Sequence, residues 1–473
     1  MRDISKTRPY HVLIAALFPL VLVSFKNYAV IKPYQLVIPF IYIALIAVVS
    51  FSIGWLFTKN KIKSFIFASF ILASGFYFFP VIQYFIRLIG SEYVRDVYCF
   101  AAWALMSFAV LLWIKYKLSA TVASKLTGYL NVFATVLLLI NIIVVISSFA
   151  GAKPKYNPAS GLQVKTISNA EKMPASSMNV YYILLDECAN DATLEENFGY
   201  KNTFNNKLEA LQFFVCKNAR TLYGETFPSM SSTLNLVPVN DQKITQDYYT
   251  NNSVNYNYKK MGYKTKMITS FFVNNNGTCT ADEVYNPYPD NIFENELVNV
   301  ILANTAFRVM YKFTFFKKMV NYHADAVKAT FRLADSIAMI KPESPRFLYM
   351  HVNSPHGPLC MDSTGTPDYA YVTNRNNYLH QLIYTQHATL NTVKNILQAE
   401  KGNCIILVQS DHGIRQHSSP VKLNNDADKF KVVNAFYFPE ADRYTQLSDS
   451  MAIVNNFRAI FNYQFNAGFP LLQ

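Results

Sequence analysis

The sequence is poor in charged residues and in cysteine. Only 15% of its 473 residues are Asp, Glu, Lys or Arg, against about 25% in ordinary soluble proteins. Hydrophobic residues make up 51% of the chain, which excludes an intrinsically disordered protein and disfavours a wholly soluble one. Six cysteines in a chain of this length are too few for a disulfide framework, so a small disulfide-rich scaffold is also excluded.

Acidic residues are scarcest at the start of the chain. Residues 1–150 hold three acids and 13 Lys or Arg residues, a net charge of +10, whereas the rest of the chain carries +3 of the total of +13. The larger part of the chain is therefore nearly neutral, without the basic stripe that binds nucleic acid. We expect no nucleic-acid partner, and we attribute the basic excess to membrane topology.

Long apolar stretches are abundant in the same region. Five of them approach the ~20 residues that span the hydrocarbon core of a bilayer, and together they predict a bundle of five transmembrane helices over residues 1–150. These stretches are Val12–Ala29, Gln35–Phe57, Ser64–Ile86, Val97–Trp113 and Leu126–Phe149.

Basic residues near the ends of these stretches predict their orientation. With the N-terminus in the cytoplasm, nine Lys or Arg residues lie in inner segments and four, including Lys26 and Lys32, lie in outer ones. Because inner segments are enriched in Lys and Arg, five spans would then place the chain beyond residue 150 outside the cytoplasm. Residues 151–178 hold three prolines and many small polar residues, and we interpret them as a linker.

From residue 179 onward, short apolar runs alternate with amphipathic patterns. This alternation predicts an α/β domain over residues 179–473, with helices on both faces of a mostly parallel sheet. Ligand sites in such sheets gather at the carboxyl ends of the strands. The predicted strands are Val180–Leu185, Gln212–Cys216, Lys264–Thr269, Phe347–Val352, Cys404–Val408 and Val432–Phe438, and helices are predicted over 202–211, 293–312, 324–340, 376–400 and 451–462.

Two polar clusters lie early in this domain. Asp186 and Glu187 directly follow the first predicted strand, where paired carboxylates suit a metal cation, although an ordinary turn has the same composition. Thr226 stands in the sequence GETFPS ahead of a predicted helix. Its hydroxyl can cap that helix, or act as a nucleophile at a helix N-terminus that favours anions. Cys188 is a further candidate ligand, with a packed thiol as the alternative.

Two more clusters lie later in the chain. His356 stands between prolines in SPHGP, where it can be a surface residue, bind a metal or protonate a leaving group. Asp411 and His412 follow a buried strand and precede Gly413. Carboxylate and imidazole side by side at a strand end are suitable metal ligands.

The order of these four clusters resembles that of the alkaline phosphatase/sulfatase superfamily. It is similar in particular to the membrane-anchored branch, which includes lipid A phosphoethanolamine transferases and lipoteichoic acid synthases and places five spans before an extracytoplasmic catalytic domain. The resemblance implies that Asp186, Asp411 and His412 bind a metal. It also implies that Glu187 is the second acid of a metal-binding pair, and that Thr226 is both nucleophile and metal ligand.

The same resemblance implies that His356 contacts the substrate phosphate or a second metal. Arg415 and His417, just after the Asp-His-Gly sequence, are weaker candidates for the same pocket. The mixed nitrogen and oxygen ligands favour Zn²⁺, with Mn²⁺, Mg²⁺ or Ca²⁺ as alternatives.

The sequence departs from the superfamily pattern at positions that restrict the reactions it can catalyse. Sulfatases carry Cys or Ser followed by x-Pro-x-Arg, which allows conversion to formylglycine, whereas this sequence has Thr226 with Met230 in the Arg position. Sulfate-ester hydrolysis by that route is therefore disfavoured, while a covalent phospho-threonine remains possible. The acid of the Gly-Glu-Thr sequence, Glu225, lies in the nucleophile turn and is not assigned as a ligand. Related domains often carry a phosphate-binding basic residue soon after the first-strand acid, but no basic residue follows Asp186 closely in this sequence.

The expected function is metal-dependent transfer of a phospholipid headgroup, of phosphoethanolamine or phosphoglycerol type, to a glycan or lipid of the cell envelope. The phospholipid would be the donor, and the glycan or glycolipid the acceptor. The expected location is the bacterial cytoplasmic membrane, with the catalytic domain in the periplasm. The alternatives are a phosphodiesterase or phosphatase with the same site, and a non-catalytic membrane protein with a degenerate domain.

Overall fold

The chain divides into two structural units. A computed structural model describes residues 8–26, 32–78, 96–150, 167, 178–239, 249–269, 281–291, 293, 295, 297–298, 301, 305–306, 321–367, 375–415, 423, 425–440, 444–445 and 447–472. One unit, here called the helical unit, comprises Met1–Lys153 and Pro289–Tyr322. The other, the α/β unit, comprises Pro154–Tyr288 and His323–Gln473.

The helical unit is built from long apolar helices. Three described helical stretches, Pro33–Thr58, Tyr98–Tyr116 and Ala120–Ile143, are long and apolar enough to cross a membrane, and a shorter apolar one covers His11–Val21. Residues 79–95, in the region of the third predicted span, lie outside the described residues, so the count of five spans remains a prediction. The helices are α1 (His11–Lys26), α2 (Val37–Thr58), α3 (Lys61–Ala73), α4 (Asp96–Tyr116) and α5 (Ala120–Ala150).

Residues 289–322 are assigned differently by sequence and structure. The sequence pattern includes them in the α/β domain, whereas the structure groups them with the N-terminal helices. The physical reason is that Leu297 and Ile301 are buried in an apolar cluster whose other members come from the N-terminal helices. We refer to Pro289–Tyr322 as the excursion.

The described part of the α/β unit contains a seven-stranded sheet in the order β2-β7-β6-β1-β5-β3-β4. Neighbours from β6 through β1, β5 and β3 to β4 are parallel, whereas β7 is antiparallel to both β6 and β2. The antiparallel edge makes the sheet mixed, but four of its six strand pairings are parallel, so the mostly parallel sheet that was expected is confirmed. The strands are β1 (Asn179–Leu185), β2 (Phe214–Val215), β3 (Lys264–Ile268), β4 (Glu283–Tyr285), β5 (Arg346–Val352), β6 (Cys404–Ser410) and β7 (Asn434–Tyr437).

Apolar layers cover both faces of this sheet. Every residue of β1, β5 and β6 is buried, as expected for central parallel strands that are covered on both faces. Alternate residues of β1 enter opposite layers: Tyr181, Ile183 and Leu185 belong to one apolar cluster, and Val180, Tyr182 and Leu184 to the other. The helices of this unit are α6 (Asp191–Phe198), α7 (Phe204–Ala210), α8 (Thr226–Asn235), α9 (Ser253–Lys260), α10 (Tyr322–Met339), α11 (Arg375–Ala399) and α12 (Asn456–Phe465).

Candidate active site

The carboxyl ends of β1 and β6 bring two acidic residues together. The two strands are parallel, and Leu185 pairs with Ser410 at their ends. Asp186 and Asp411 each follow directly, and both are buried. Because the register aligns the two strand ends, these carboxylates meet although 225 positions separate them in the sequence. The predicted site at this edge of the sheet therefore has a basis in the strand register.

Asp186, Asp411 and His412 form a compact group of possible metal ligands. One ligand atom from each lies within 4.8 Å of the others. The Nδ1 atom of His412 donates a hydrogen bond to the Gly413 carbonyl at 2.8 Å, which leaves the lone pair on Nε2. That Nε2 lies 3.4 Å from Asp411 Oδ2 and 3.8 Å from Asp186 Oδ1. These two carboxylate oxygens are buried and accept no hydrogen bond from the described residues.

Thr226 joins this group from the start of α8. Its Oγ1 atom lies 3.4 Å from His412 Nε2, and Thr226 is the first residue of the helix, where unpaired backbone N–H groups favour an anion. One turn later, Ser229 Oγ donates to the Asp411 carbonyl at 2.6 Å. This bond holds the start of α8 against the end of β6, which keeps the Thr226 hydroxyl beside the buried carboxylates.

The electrostatics of the group fit a divalent cation. Burial and the neighbouring Asp186 carboxylate raise the pKa of Asp411. Burial also opposes ionisation of Asp186, but His356, His351 and His412 together lower its pKa. Two buried carboxylates with unsatisfied oxygens are costly unless a positive charge offsets them. Two carboxylates, one imidazole and one hydroxyl are a donor set that suits zinc.

Glu187 belongs to a different group from Asp186. Its backbone has a φ of +61°, and its N–H donates to Asp411 Oδ1 at 3.0 Å. Its Oε1 accepts a hydrogen bond from the Arg415 backbone N–H at 2.8 Å, and its Oε2 lies 3.7 Å from His356 Nε2. The structure therefore does not bring the Glu187 carboxylate into the cluster of Asp186, Asp411 and His412.

His356 and Arg415 lie side by side next to Glu187. Arg415 Nη2 donates to His356 Nε2 at 2.8 Å, while His356 Nδ1 donates to the Gly357 carbonyl at 2.7 Å. Burial lowers the pKa of His356, but the neighbouring carboxylates of Asp186 and Glu187 raise it. The net shift of the pKa is upward. Arg415 thus places a basic group beside His356 and Glu187. His417 lies outside the described residues.

Sequence reasoning missed His351, which lies inside β5. Its Nε2 is 3.3 Å from Asp186 Oδ2, and its Nδ1 lies 3.1 Å from the Tyr249 hydroxyl and 3.3 Å from the Tyr349 hydroxyl. The signal in the sequence is a single imidazole in an otherwise apolar strand, FLYMHV, one residue before its end. Its role becomes visible only when β5 is known to pair with β1, where His351 is opposite Leu184.

Cys188, His380 and His387 lie outside the cluster of Asp186, Asp411 and His412. Cys188 is buried in the apolar layer, and burial raises the pKa of its thiol. His380 and His387 are exposed on α11. The same helix supports the site through Tyr378, whose hydroxyl donates to the Glu187 carbonyl at 2.8 Å.

We expect Gly413→Ala to displace the Asp-His-Gly turn. A Cβ atom at Gly413 would lie 2.1 Å from the Asp428 carbonyl oxygen and 2.5 Å from that of Lys431, so backbone must move. Overpacking of this kind costs about 1–3 kcal/mol. Gly357→Ala is the matched control, since Gly357 follows the other site histidine and has open space at its Cβ position. Thermal unfolding and metal titration should show a loss in Gly413→Ala only. Equal behaviour of the two variants would contradict the steric argument.

One family model and several solved structures are similar to this chain. The Sulfatase family model matches residues 178–433. No curated protein sequence matches the chain. The zinc complex of the C-terminal periplasmic domain of EcEptC from Escherichia coli is similar at 13% identity, with a TM-score of 0.44, over 64% of this chain and 87% of that one. The integral membrane lipooligosaccharide phosphoethanolamine transferase A (EptA) from Neisseria meningitidis is similar at 13% identity, with a TM-score of 0.40, over 76% of this chain and 70% of that one. The family model covers more than half of the chain, and the protein therefore belongs to the sulfatase family.

Proposed function

We propose that the protein is a membrane-bound, metal-dependent phosphotransferase. It would take a phosphoethanolamine or phosphoglycerol headgroup from a phospholipid and transfer it to a glycan or lipid of the cell envelope. The catalytic unit would face the periplasm of a bacterial cytoplasmic membrane. The observation that carries the proposal is the convergence of Thr226 Oγ1 and His412 Nε2, 3.4 Å apart, with two buried carboxylate oxygens that lack hydrogen-bond donors among the described residues.

Asp186, Asp411, His412 and Thr226 would hold the metal. A divalent metal bound there would lower the pKa of the Thr226 hydroxyl and polarise a phosphoryl oxygen. Threonine suits a phosphoryl-transfer nucleophile, and it cannot become the formylglycine on which sulfate-ester hydrolysis depends. The apolar N-terminal helices support a lipid donor, because they keep the chain at the surface where phospholipids are presented.

In the first half of the proposed reaction, ionised Thr226 Oγ1 forms a bond to phosphorus and the bond from phosphorus to the glycerol oxygen of the lipid breaks. Arg415 moves from His356 Nε2 to the phosphate oxygens of the substrate, so this nitrogen is free to carry a proton. The raised pKa of His356 supports its protonated form, which donates the Nε2 proton to the departing oxygen. The products are diacylglycerol and a phosphodiester between Thr226 and the headgroup.

In the second half, His356 Nε2 removes a proton from the acceptor hydroxyl. The acceptor oxygen forms a bond to phosphorus, and the bond to Thr226 Oγ1 breaks. Thr226 returns to its ionised form and His356 to its protonated form, so the cycle closes. With water as the acceptor, the same steps would be hydrolysis.

The test is mass spectrometry of the peptide that contains Thr226, from full-length protein that is acid-quenched during turnover of a phospholipid. We expect a phosphorylated headgroup on Thr226, with a mass that identifies the donor. Active protein without any such adduct would contradict the covalent route. Release of free headgroup at the same rate with and without a glycan or lipid acceptor would replace transfer by hydrolysis.

A further inference from the structure

The excursion begins and ends at one point of the α/β unit. Tyr288 precedes it and His323 follows it, and the Tyr288 hydroxyl lies within hydrogen-bond distance of His323 Nδ1, at 2.7 Å. His323 is buried, with 4% of its surface exposed. The chain therefore leaves and re-enters the α/β unit through adjacent residues, and the 34 residues between them belong to the helical unit.

A charge pair marks the entry of the excursion into the helical unit. Asp290 Oδ2 lies 2.5 Å from Lys32 Nζ, and Asp290 Oδ1 accepts a hydrogen bond from Gln35 Nε2 at 2.8 Å. Lys32 and Gln35 flank the start of the apolar stretch Pro33–Thr58. Asp290 and Lys32 must therefore lie on the same side of the membrane. The basic-residue count predicts that Lys32 lies outside the cytoplasm, as the location of the α/β unit also requires.

The residues that follow pack among the membrane helices. Asn295 Oδ1 accepts a hydrogen bond from Val298 N–H at 3.1 Å, as a helix N-cap does. Leu297, Val298 and Ile301 are at most 5% exposed, and their spacing places them on one face of a helical turn. Leu297 and Ile301 share a buried apolar cluster with Ala16, Leu20, Ile43, Leu72 and Phe76.

This cluster lies within the apolar span and not at its end. Ile43 is ten residues beyond Pro33, the start of the stretch Pro33–Thr58, which corresponds to a depth of about 15 Å at 1.5 Å per residue. The hydrocarbon core of a bilayer is about 30 Å thick. Apolar side chains that share a cluster with Ile43 are therefore at a depth where lipid surrounds the bundle. Phe293, between the charge pair and the cluster, is 63% exposed, and it is available to lipid.

We infer that the excursion enters the bilayer from the extracytoplasmic side through Asp290, Leu297 and Ile301, and gives the chain a second attachment to lipid beside its N-terminal helices. Asp290 anchors its entry to Lys32, and Leu297 and Ile301 fill the bundle below. The α/β unit is then attached to the membrane by the segment inserted between Tyr288 and His323, independently of the linker at 151–178. This inference concerns attachment and does not depend on the proposed transfer reaction.

The test separates the two attachments in the full-length protein. A specific protease site is introduced into the linker between residues 154 and 166, membranes that contain the protein are cut, and the pellet is washed with alkaline carbonate. We expect at least 90% of the C-terminal fragment to stay in the pellet. The double variant Leu297→Arg and Ile301→Arg should raise the ratio of released to retained fragment at least tenfold, because arginine is strongly disfavoured in hydrocarbon.

The matched control adds two arginines outside the excursion. Met339 and Ile340 are 70% and 64% exposed on the α/β unit, and Met339→Arg with Ile340→Arg should leave the fragment in the pellet. Release of the unmodified fragment by carbonate would overturn the inference, and so would retention of the Leu297→Arg, Ile301→Arg fragment.

A second measurement covers the case in which the arginine variant does not fold. Asp290→Cys and Ile301→Cys are compared, one at a time, in intact right-side-out vesicles treated with a membrane-impermeant maleimide. The native cysteines that the structure describes are all buried. We expect labelling of Asp290→Cys at least tenfold faster than labelling of Ile301→Cys, with the difference abolished in denaturant. Equal labelling in intact vesicles would place residue 301 in water and overturn the inference.

Discussion

Thr226→Ala is expected to lower kcat for headgroup release from a phospholipid by on the order of 10⁴-fold or more, the scale of losing a covalent nucleophile. The reason is geometric. Thr226 Oγ1 is the hydroxyl that lies 3.4 Å from His412 Nε2, at the start of a helix that favours a phosphoryl anion. Without that oxygen, no bond to phosphorus can form at this position. Initial rates at saturating phospholipid, with metal content measured on the same samples, check the prediction.

Two further variants separate chemistry from folding. Thr226→Ser keeps the oxygen and should retain activity within about tenfold. Ser229→Ala removes a hydroxyl one turn later in α8, where Ser229 Oγ donates to the Asp411 carbonyl at 2.6 Å. It should cost about 1 kcal/mol of stability and much less activity than Thr226→Ala. A Thr226→Ala protein that keeps its metal and more than about 1% of its activity would contradict a nucleophilic role.

The parts of the site that the sequence predicted are those with local signals. Asp186 and Asp411 directly follow apolar runs, and such runs become central parallel strands whose carboxyl ends meet. The strand predictions Val180–Leu185 and Phe347–Val352 each begin one residue later than β1 and β5 do in the structure. Family membership followed from the joint order of the motifs, and the family model confirms it.

The parts that the sequence did not predict depend on distant contacts or on backbone direction. His351 is one polar residue in an apolar strand, and its approach to Asp186 depends on β5 lying beside β1. The orientation of Glu187 depends on its left-handed backbone, with a φ of +61°, which side chains other than glycine rarely adopt. This backbone conformation directs the Glu187 carboxylate to Arg415 and His356. The adjacent acids Asp186 and Glu187 therefore belong to different groups of side chains.

The excursion was missed for a related reason. Its residues lie between β4 and α10 of the α/β unit, and sequence order assigned them to that unit. Their apolar side chains pack instead against helices whose residues lie more than 200 positions earlier, such as Leu20 and Ile43 with Ile301. A helical pattern indicates that a buried face exists, but it does not identify the partner that covers that face.

Asp411→Asn is expected to change stability in opposite directions with and without metal. The Asp411 Oδ2 atom is buried and accepts no hydrogen bond from the described residues, and burial together with Asp186 raises the pKa of this carboxyl. An uncharged amide removes that repulsion, and its nitrogen can donate to His412 Nε2, which lies 3.4 Å from Oδ2. The metal-free variant should therefore unfold at a higher temperature than the metal-free wild type.

With metal present, the order should reverse. Loss of an anionic ligand is expected to weaken metal binding by at least about 100-fold, since even outer-shell changes cost 10–100-fold. At a metal concentration of about 1,000 times the wild-type Kd, binding stabilises the wild type by about 4 kcal/mol. The variant, at no more than about ten times its own Kd, would gain about 1.4 kcal/mol or less. Thermal unfolding with and without a chelator, and competitive metal titration, measure both effects.

Glu187→Gln is the matched control, because it also removes a buried negative charge within the site. The Glu187 carboxylate accepts from the Arg415 backbone N–H at 2.8 Å and lies 3.7 Å from His356 Nε2, outside the cluster that includes Asp411. Glu187→Gln should therefore keep the metal affinity within about threefold while lowering turnover through His356. If both variants lose metal equally, Glu187 is a ligand, as the family resemblance implied, and the paired acids act together. If only Asp411→Asn loses metal, Asp411 binds the cation, whereas Glu187 holds His356, the proton donor.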